Sequence, residues 1–169
     1  TLLRHGARFF SDDLVPLVMT PGPAAAYAGY PRVGLWGDSA NALFGPDANL
    51  PMLEITDKRI YTPTITYDVT RPWPIRAVYI LGKRGANPDA TQTLIVPLAQ
   101  AEAVAELIPH TTGRILRTDW GHVNDLARIA GLVRRVPVRR IDRPDDLGQL
   151  DNVAQTILAD VAGAARWVD

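Results

Sequence analysis

The sequence predicts a mixed α/β fold, a mixed sheet with helices packed on it, and three observations carry that prediction. Short apolar runs broken by Pro and Gly fill the first hundred residues and read as strands. Beyond them, apolar residues recur at helical spacing. Between the last two helical stretches a strand-like run returns, Val136-Pro137-Val138-Arg139-Arg140-Ile141, so the helical half also feeds the sheet. A chain of 169 residues is long enough to bury a core. No linker or repeat divides it, so residues 1–169 are expected to form one domain.

Taken in order, Leu2-Leu3-Arg4-His5-Gly6 spells the last turn of a helix, with basic residues at the negative end of the dipole and a glycine stop. One turn does not stand alone, and the chain begins at Thr1 rather than Met, so a fragment or processed form is expected. Residues 7–10 and 14–19 read as strands flanking Ser11-Asp12-Asp13, and Thr20-Pro21-Gly22-Pro23 is a breaker. Tyr30 to Trp36 reads as a strand. Asp38 or Ser39 is placed to cap a short helix through Ala40, Leu43 and Phe44, stopped by Gly45-Pro46. Residues 46–57 read as loop, and Lys58-Arg59 leads into a strand at Ile60-Tyr61-Thr62. Residues 63–74 carry three prolines and read as an edge strand closing on a turn.

Ile75 to Leu81 is rich in β-formers and reads as a central strand, followed by a turn-rich connection over Gly82 to Ala90 and a strand over Thr93 to Leu98. Ala99 to Ile108 places Ala103, Val104 and Leu107 on one helical face, ended by Pro109. From Asp119 to Arg135 the apolar face is Val123, Leu126, Ala127, Ala130 and Val133. Asp145 or Asp146 can cap a last helix through Leu150, Val153, Ile157 and Val161.

Composition narrows the function classes. A formal net charge of zero gives no electrostatic case for nucleic acid or an anionic membrane. The absence of Cys removes disulfides, thiolate nucleophiles and Cys-based metal sites, and fits a cytoplasmic location. No apolar run approaches the roughly 20 residues that span a bilayer, and no secretory signal is seen.

The most chemically loaded stretch is Ser11-Asp12-Asp13 between two apolar runs. At the end of a strand, two adjacent carboxylates can reach one crevice. One then holds Mg²⁺ and the other accepts a hydroxyl proton during phosphoryl transfer. The same spelling also makes a turn in which short polar side chains bond neighbouring backbone. A phosphate cradle of the form Gly-x-x-x-x-Gly-Lys-Ser/Thr does not occur in the sequence. Lys58-Arg59 and Lys83-Arg84 are candidates for neutralising phosphate oxygens, although such pairs are commonly solvated surface. Arg139 and Arg140 read as the exposed side of a strand. His5, His110 and His122 are too scattered to argue a metal site, and Trp36 and Trp73 read as packing rather than a ligand shelf.

The succession of words resembles the C-terminal kinase domain of HPr kinase/phosphorylase, and more closely its shorter HPr-kinase-like relatives. It runs from residues 2–17 (LLRHGARFFSDDLVPL) and 30–39 (YPRVGLWGDS) through Lys58-Arg59 and 74–81 (PIRAVYIL). It continues at 134–138 (RRVPV) and 143–147 (RPDDL), nearly the whole chain in order. The resemblance implies a phosphoenolpyruvate-carboxykinase-like P-loop fold, N-terminally truncated. It implies ATP and Mg²⁺ as reactants and a seryl hydroxyl of a protein or peptide as acceptor. Carried over, Asp12 is the general base, Asp13 the metal-side carboxylate, and Lys58 and Arg59 contact the γ-phosphate or substrate. In that family a Walker A loop and its helix precede the Asp-Asp strand, whereas here only the last turn of such a helix is spelled. The chain by itself is therefore expected to be a poor kinase, although the resemblance implies that its parent is one. Apolar sheet surface is expected to be exposed, favouring self-association into a homo-oligomer. The alternative, from another class, is a non-catalytic HPr-kinase-like module that holds a peptide or protein without ATP. A third is a structural domain in which Asp12-Asp13 is only a turn.

Overall fold

Two small antiparallel sheets built from strands of two or three residues occupy the N-terminal half, and a three-stranded mixed sheet with helices packed on it forms the C-terminal half. The computed structural model describes residues 1–19, 21–83, 91–111 and 119–164. The elements are β1 (Leu17–Val18), β2 (Ala25–Ala26), β3 (Val33–Leu35), α1 (Gly37–Phe44), β4 (Arg59–Tyr61), β5 (Trp73–Pro74) and β6 (Val78–Leu81). They continue as β7 (Leu94–Pro97), α2 (Gln100–Leu107), α3 (Asp119–Val133), β8 (Val138–Asp142) and α4 (Leu150–Ala164). The chain is thus mixed α/β, with four α-helices among the described residues.

Strand order is β1-β2-β5 in one sheet, β3-β4 in the second and β6-β8-β7 in the third. In the third sheet β6 runs parallel to β8, with Val78 opposite Val138, while β7 is antiparallel, with Ile95 opposite Ile141. The central strand is therefore β8, and the 75–81 stretch expected at the centre is an edge among the described strands. The physical reason lies in the arginines. A central strand carrying Arg139 and Arg140 looks exposed in sequence, but neighbouring elements supply carboxylates for both. Arg139 Nη1 lies 3.3 Å from Asp160 of α4, and Arg140 pairs with Asp142 at 3.1 Å and with Glu102 of α2 at 3.4 Å. Between them Val138 and Ile141 are buried, Ile141 to 1% exposure.

The core gathers Ile80 and Val138 from the third sheet, Ala103 and Leu107 from α2, and Ile129, Leu132 and Val133 from α3, with Val136 just beyond. The face of α3 differs from the expected one. Val133 is buried as expected, but Leu126 is 48% exposed and Ala127 is exposed, whereas Ile129 and Leu132 are buried in their place. Residues 126, 130 and 133 and residues 129, 132, 133 and 136 form adjacent helical strips, and packing against α2 selects the second. The side chain of Val123 lies outside the described residues.

Most element positions agree with the sequence pattern. Leu2–His5 is a 3₁₀ turn ended by Gly6 at φ 85°, with Gly6 N–H donating to Leu3 O and Ala7 N–H to Leu2 O, and Gly45 stops α1 at φ 86°. α1 begins at Gly37 after Trp36, with no side-chain cap. Asp38 instead accepts a hydrogen bond from the Ser39 N–H at 2.7 Å. Asp146 accepts from the Gly148 N–H at 2.8 Å, and so caps the 3₁₀ turn (Leu147–Gln149) that leads into α4. The expected strand at 7–10 shrinks to one parallel bridge between Phe9 and Thr66, and of the expected 63–74 edge strand only that bridge and the edge strand β5 form. Most of the 82–90 connection lies outside the described residues.

Candidate functional site

The Asp-Asp turn is fixed from both ends. Before it, buried Phe9 donates its N–H to Ile65 O at 2.9 Å and accepts from Tyr67 N–H at 3.2 Å. Within it, the Ser11 hydroxyl donates to Leu14 O at 2.6 Å, closing the turn, and Gly29 N–H donates to Phe10 O at 2.8 Å. A side chain at Gly29 would place its Cβ 2.4 Å from Ser11 Oγ, so this approach requires glycine. The rings of Phe10, Tyr67 and Trp73 stack edge-on at 5.3 and 4.8 Å behind the turn, and the Arg71 guanidinium covers Trp73 at 3.6 Å.

Asp12 and Asp13 are both exposed at this turn, and the structure sends them to different surroundings. Asp12 Oδ2 accepts a hydrogen bond at 2.9 Å from the backbone N–H of Gly34, in β3. That is a contact across 22 residues rather than the local one a free-standing turn would make. Lys58, just before β4, lies over the same glycine: its Cδ is 3.2 Å, and its Nζ 4.0 Å, from the point a Cβ of residue 34 would occupy. Asp12 Oδ2 is also 4.0 Å from that point. The ammonium sits 5.2 Å from the centre of the Trp36 ring, which is 55% exposed. Asp12, Lys58 and Trp36 thus converge on Gly34. Arg59 follows Lys58 in β4 opposite Leu35, and strand alternation turns it to the other face.

Asp13 instead lines an open groove of about 1270 Å³ with Leu14, Trp73, Tyr79, Asp125 and Arg128. The groove runs between residues 14–19 and residues 75–79, hence beside β1 and β6, each an edge strand among the described residues. On its wall the Tyr79 hydroxyl donates to Asp160 of α4, and burial together with that acceptor pushes its pKa up to about 12.

Of the remaining sequence candidates, His5 faces Asp151 of α4 at 3.4 Å and ties the N-terminal turn to that helix, while His110 lines the groove. Arg84 and the side chain of His122 lie outside the described residues, and Lys83 is exposed just beyond β6. Among the described residues no group of three or more His, Asp or Glu is arranged to hold a metal. No helix among them is long and apolar enough to cross a membrane. The sequence pattern did not single out Gly34, and Trp36, expected to be packing, is instead 55% exposed beside the Lys58 ammonium. The available signal was a glycine inside a strand, which marks a close approach of another group.

No protein-family model, no curated protein and no solved structure matches the chain.

Proposed function

We propose that the chain is part of an ATP-dependent, HPr-kinase-like enzyme that phosphorylates a seryl hydroxyl of a protein or peptide. The observation that supports this reading best is the convergence of Asp12 and Lys58 over Gly34. A carboxylate and an ammonium face one small space there without forming an ion pair with each other. Asp12 accepts the proton of the acceptor hydroxyl. Gly34 N–H holds one carboxylate oxygen and so fixes the direction of the other. Lys58 places positive charge where anionic oxygens develop.

Asp13 is the carboxylate for Mg²⁺. As a single exposed oxygen donor it fits that ion, which is commonly bound by one or two carboxylates plus phosphate oxygens and water. ATP would supply the phosphoryl group and Mg²⁺ would neutralise its charge; Lys58, beside Asp12, is the residue offered to the phosphate, and Asp13, on the groove side of the same turn, the one offered to the ion. This reading requires a phosphate cradle of the Gly-x-x-x-x-Gly-Lys-Ser/Thr kind, which residues 1–169 do not spell.

The test is phosphate transfer from γ-labelled ATP to serine-containing peptides, by the chain expressed with the residues its gene encodes ahead of Thr1. Transfer is expected, and Asp12→Asn lowers its rate by about 10²- to 10⁴-fold. Full transfer by Asp12→Asn, or none by the extended protein, overturns the reading.

The groove favours a second reading, a non-catalytic module for a peptide or protein. It is lined mainly by apolar side chains and bordered by two strand edges that can pair with an extended segment. That reading expects peptide binding indifferent to ATP and Mg²⁺, measured by calorimetry with and without them.

A further inference from the structure

We infer that Gly34 is a positioning residue. Its missing side chain lets the Lys58 stem lie across β3, and its N–H holds Asp12, so one backbone position sets the relation between ammonium and carboxylate. The chemical meaning of this arrangement rests on the kinase reading, but the arrangement itself does not.

The argument is geometric. Lys58 is half-buried despite its charge because its methylenes cover the bare backbone of Gly34. A Cβ at 34 would stand 3.2 Å from Lys58 Cδ, tighter than ordinary packing, so the stem must give by a few tenths of an ångström, and by more for the branched side chain of valine. The ammonium at its end then shifts against the Trp36 face, where it now sits 5.2 Å from the ring centre. Asp12 is bound by the backbone N–H, which every residue except proline carries, so its hydrogen bond survives the substitution. A side chain at 34 therefore uncouples the two groups by moving only one of them. Trp36 completes the device: its exposed ring offers the ammonium a seat other than the carboxylate, leaving Asp12 without an ion-pair partner among the described residues.

Gly34 has an ordinary negative-φ strand conformation, so Gly34→Val suits β3 and is expected to fold. Gly34→Ala is the smaller second variant. The readout is the indole N–H resonance of Trp36 in the full chain, assigned among its four tryptophans by Trp36→Phe. Gly34→Val is expected to move this resonance toward its position in Lys58→Met, with Gly34→Ala moving it part of the way. The double variant Gly34→Val/Lys58→Met should add no further shift, and Asp12→Asn should move the Gly34 amide resonance. In the phosphate-transferring protein, Gly34→Val lowers kcat by about a hundredfold, with little further loss on adding Lys58→Met. A Trp36 resonance that stays in place in both folded Gly34 variants while moving in Lys58→Met overturns the proposal. So do additive shifts in the double variant. Shifts as expected in a protein that transfers no phosphate support the positioning role and remove the kinase reading alone.

Discussion

The two halves of the molecule are built on different terms. In the C-terminal half, β8 is paired on both sides and Val138, Ile141, Leu132 and Ala103 are almost wholly removed from water. In the N-terminal half no strand among the described residues exceeds three residues, and Leu14, Tyr30, Met52, Ile55 and Ile65 stand in solvent. The candidate site lies in this N-terminal half, fixed by hydrogen bonds and cation–π contacts rather than by a core. The contrast teaches that stability and chemistry are separated here: the helix-backed sheet carries the fold, while the Asp12 turn and β3-β4 carry the charged groups. Local opening should be drawn from the N-terminal half, where buried apolar surface is scarce.

Substitutions can sharpen or break that separation. Ile141→Ala removes the largest fully buried side chain, from the central strand, and should cost about 2–5 kcal/mol in urea unfolding. It should leave the Trp36–Lys58 resonance where it was. A simultaneous change at Trp36 would show the halves to be coupled. Asp160→Ala comes next. It deprives the Tyr79 hydroxyl of its acceptor and leaves half-buried Arg139 without its carboxylate, so a loss of about 1–3 kcal/mol is expected by the same measurement.

The same contact gives a pH dependence. The Tyr79 pKa is raised from 10.0 to about 12 by burial and by Asp160. The stability it contributes is complete below pH 10 and is lost as pH rises toward 12. Tyr79→Phe should flatten that part of the stability–pH curve, and an unchanged slope would place the alkaline loss elsewhere. At the small end, Ile55→Ser in the N-terminal half should stay within about 0.5 kcal/mol, because Ile55 is 91% exposed. A loss comparable to that of Ile141→Ala would show that the exposed apolar residues of this half are covered in solution, by self-association, and would erase the contrast.

Local chemistry determined a good deal of this molecule. Gly6 and Gly45 stop their turns because left-handed φ is open to glycine without strain. The apolar spacing that marks α2 and α4 follows from the helical period, and the β-branched runs mark β6 and β7. The sequence by itself also named Asp12 and Lys58 as candidates, by residue type and order. Only the tertiary structure decided that these two meet while Asp13 and Arg59 turn to other faces. Meeting depends on β3 lying between the Asp12 turn and β4, a pairing of segments more than twenty residues apart that no local pattern encodes. It likewise decided that β8 is central and which strip of α3 is buried. A strand with two arginines gains the interior only when Asp160 of α4 and Glu102 of α2 join the strand's own Asp142 to neutralise them. An amphipathic helix with two adjacent apolar strips takes its face from its neighbour. Short-range rules fix where elements start and stop; which surfaces and charges come together is set by contacts between distant segments.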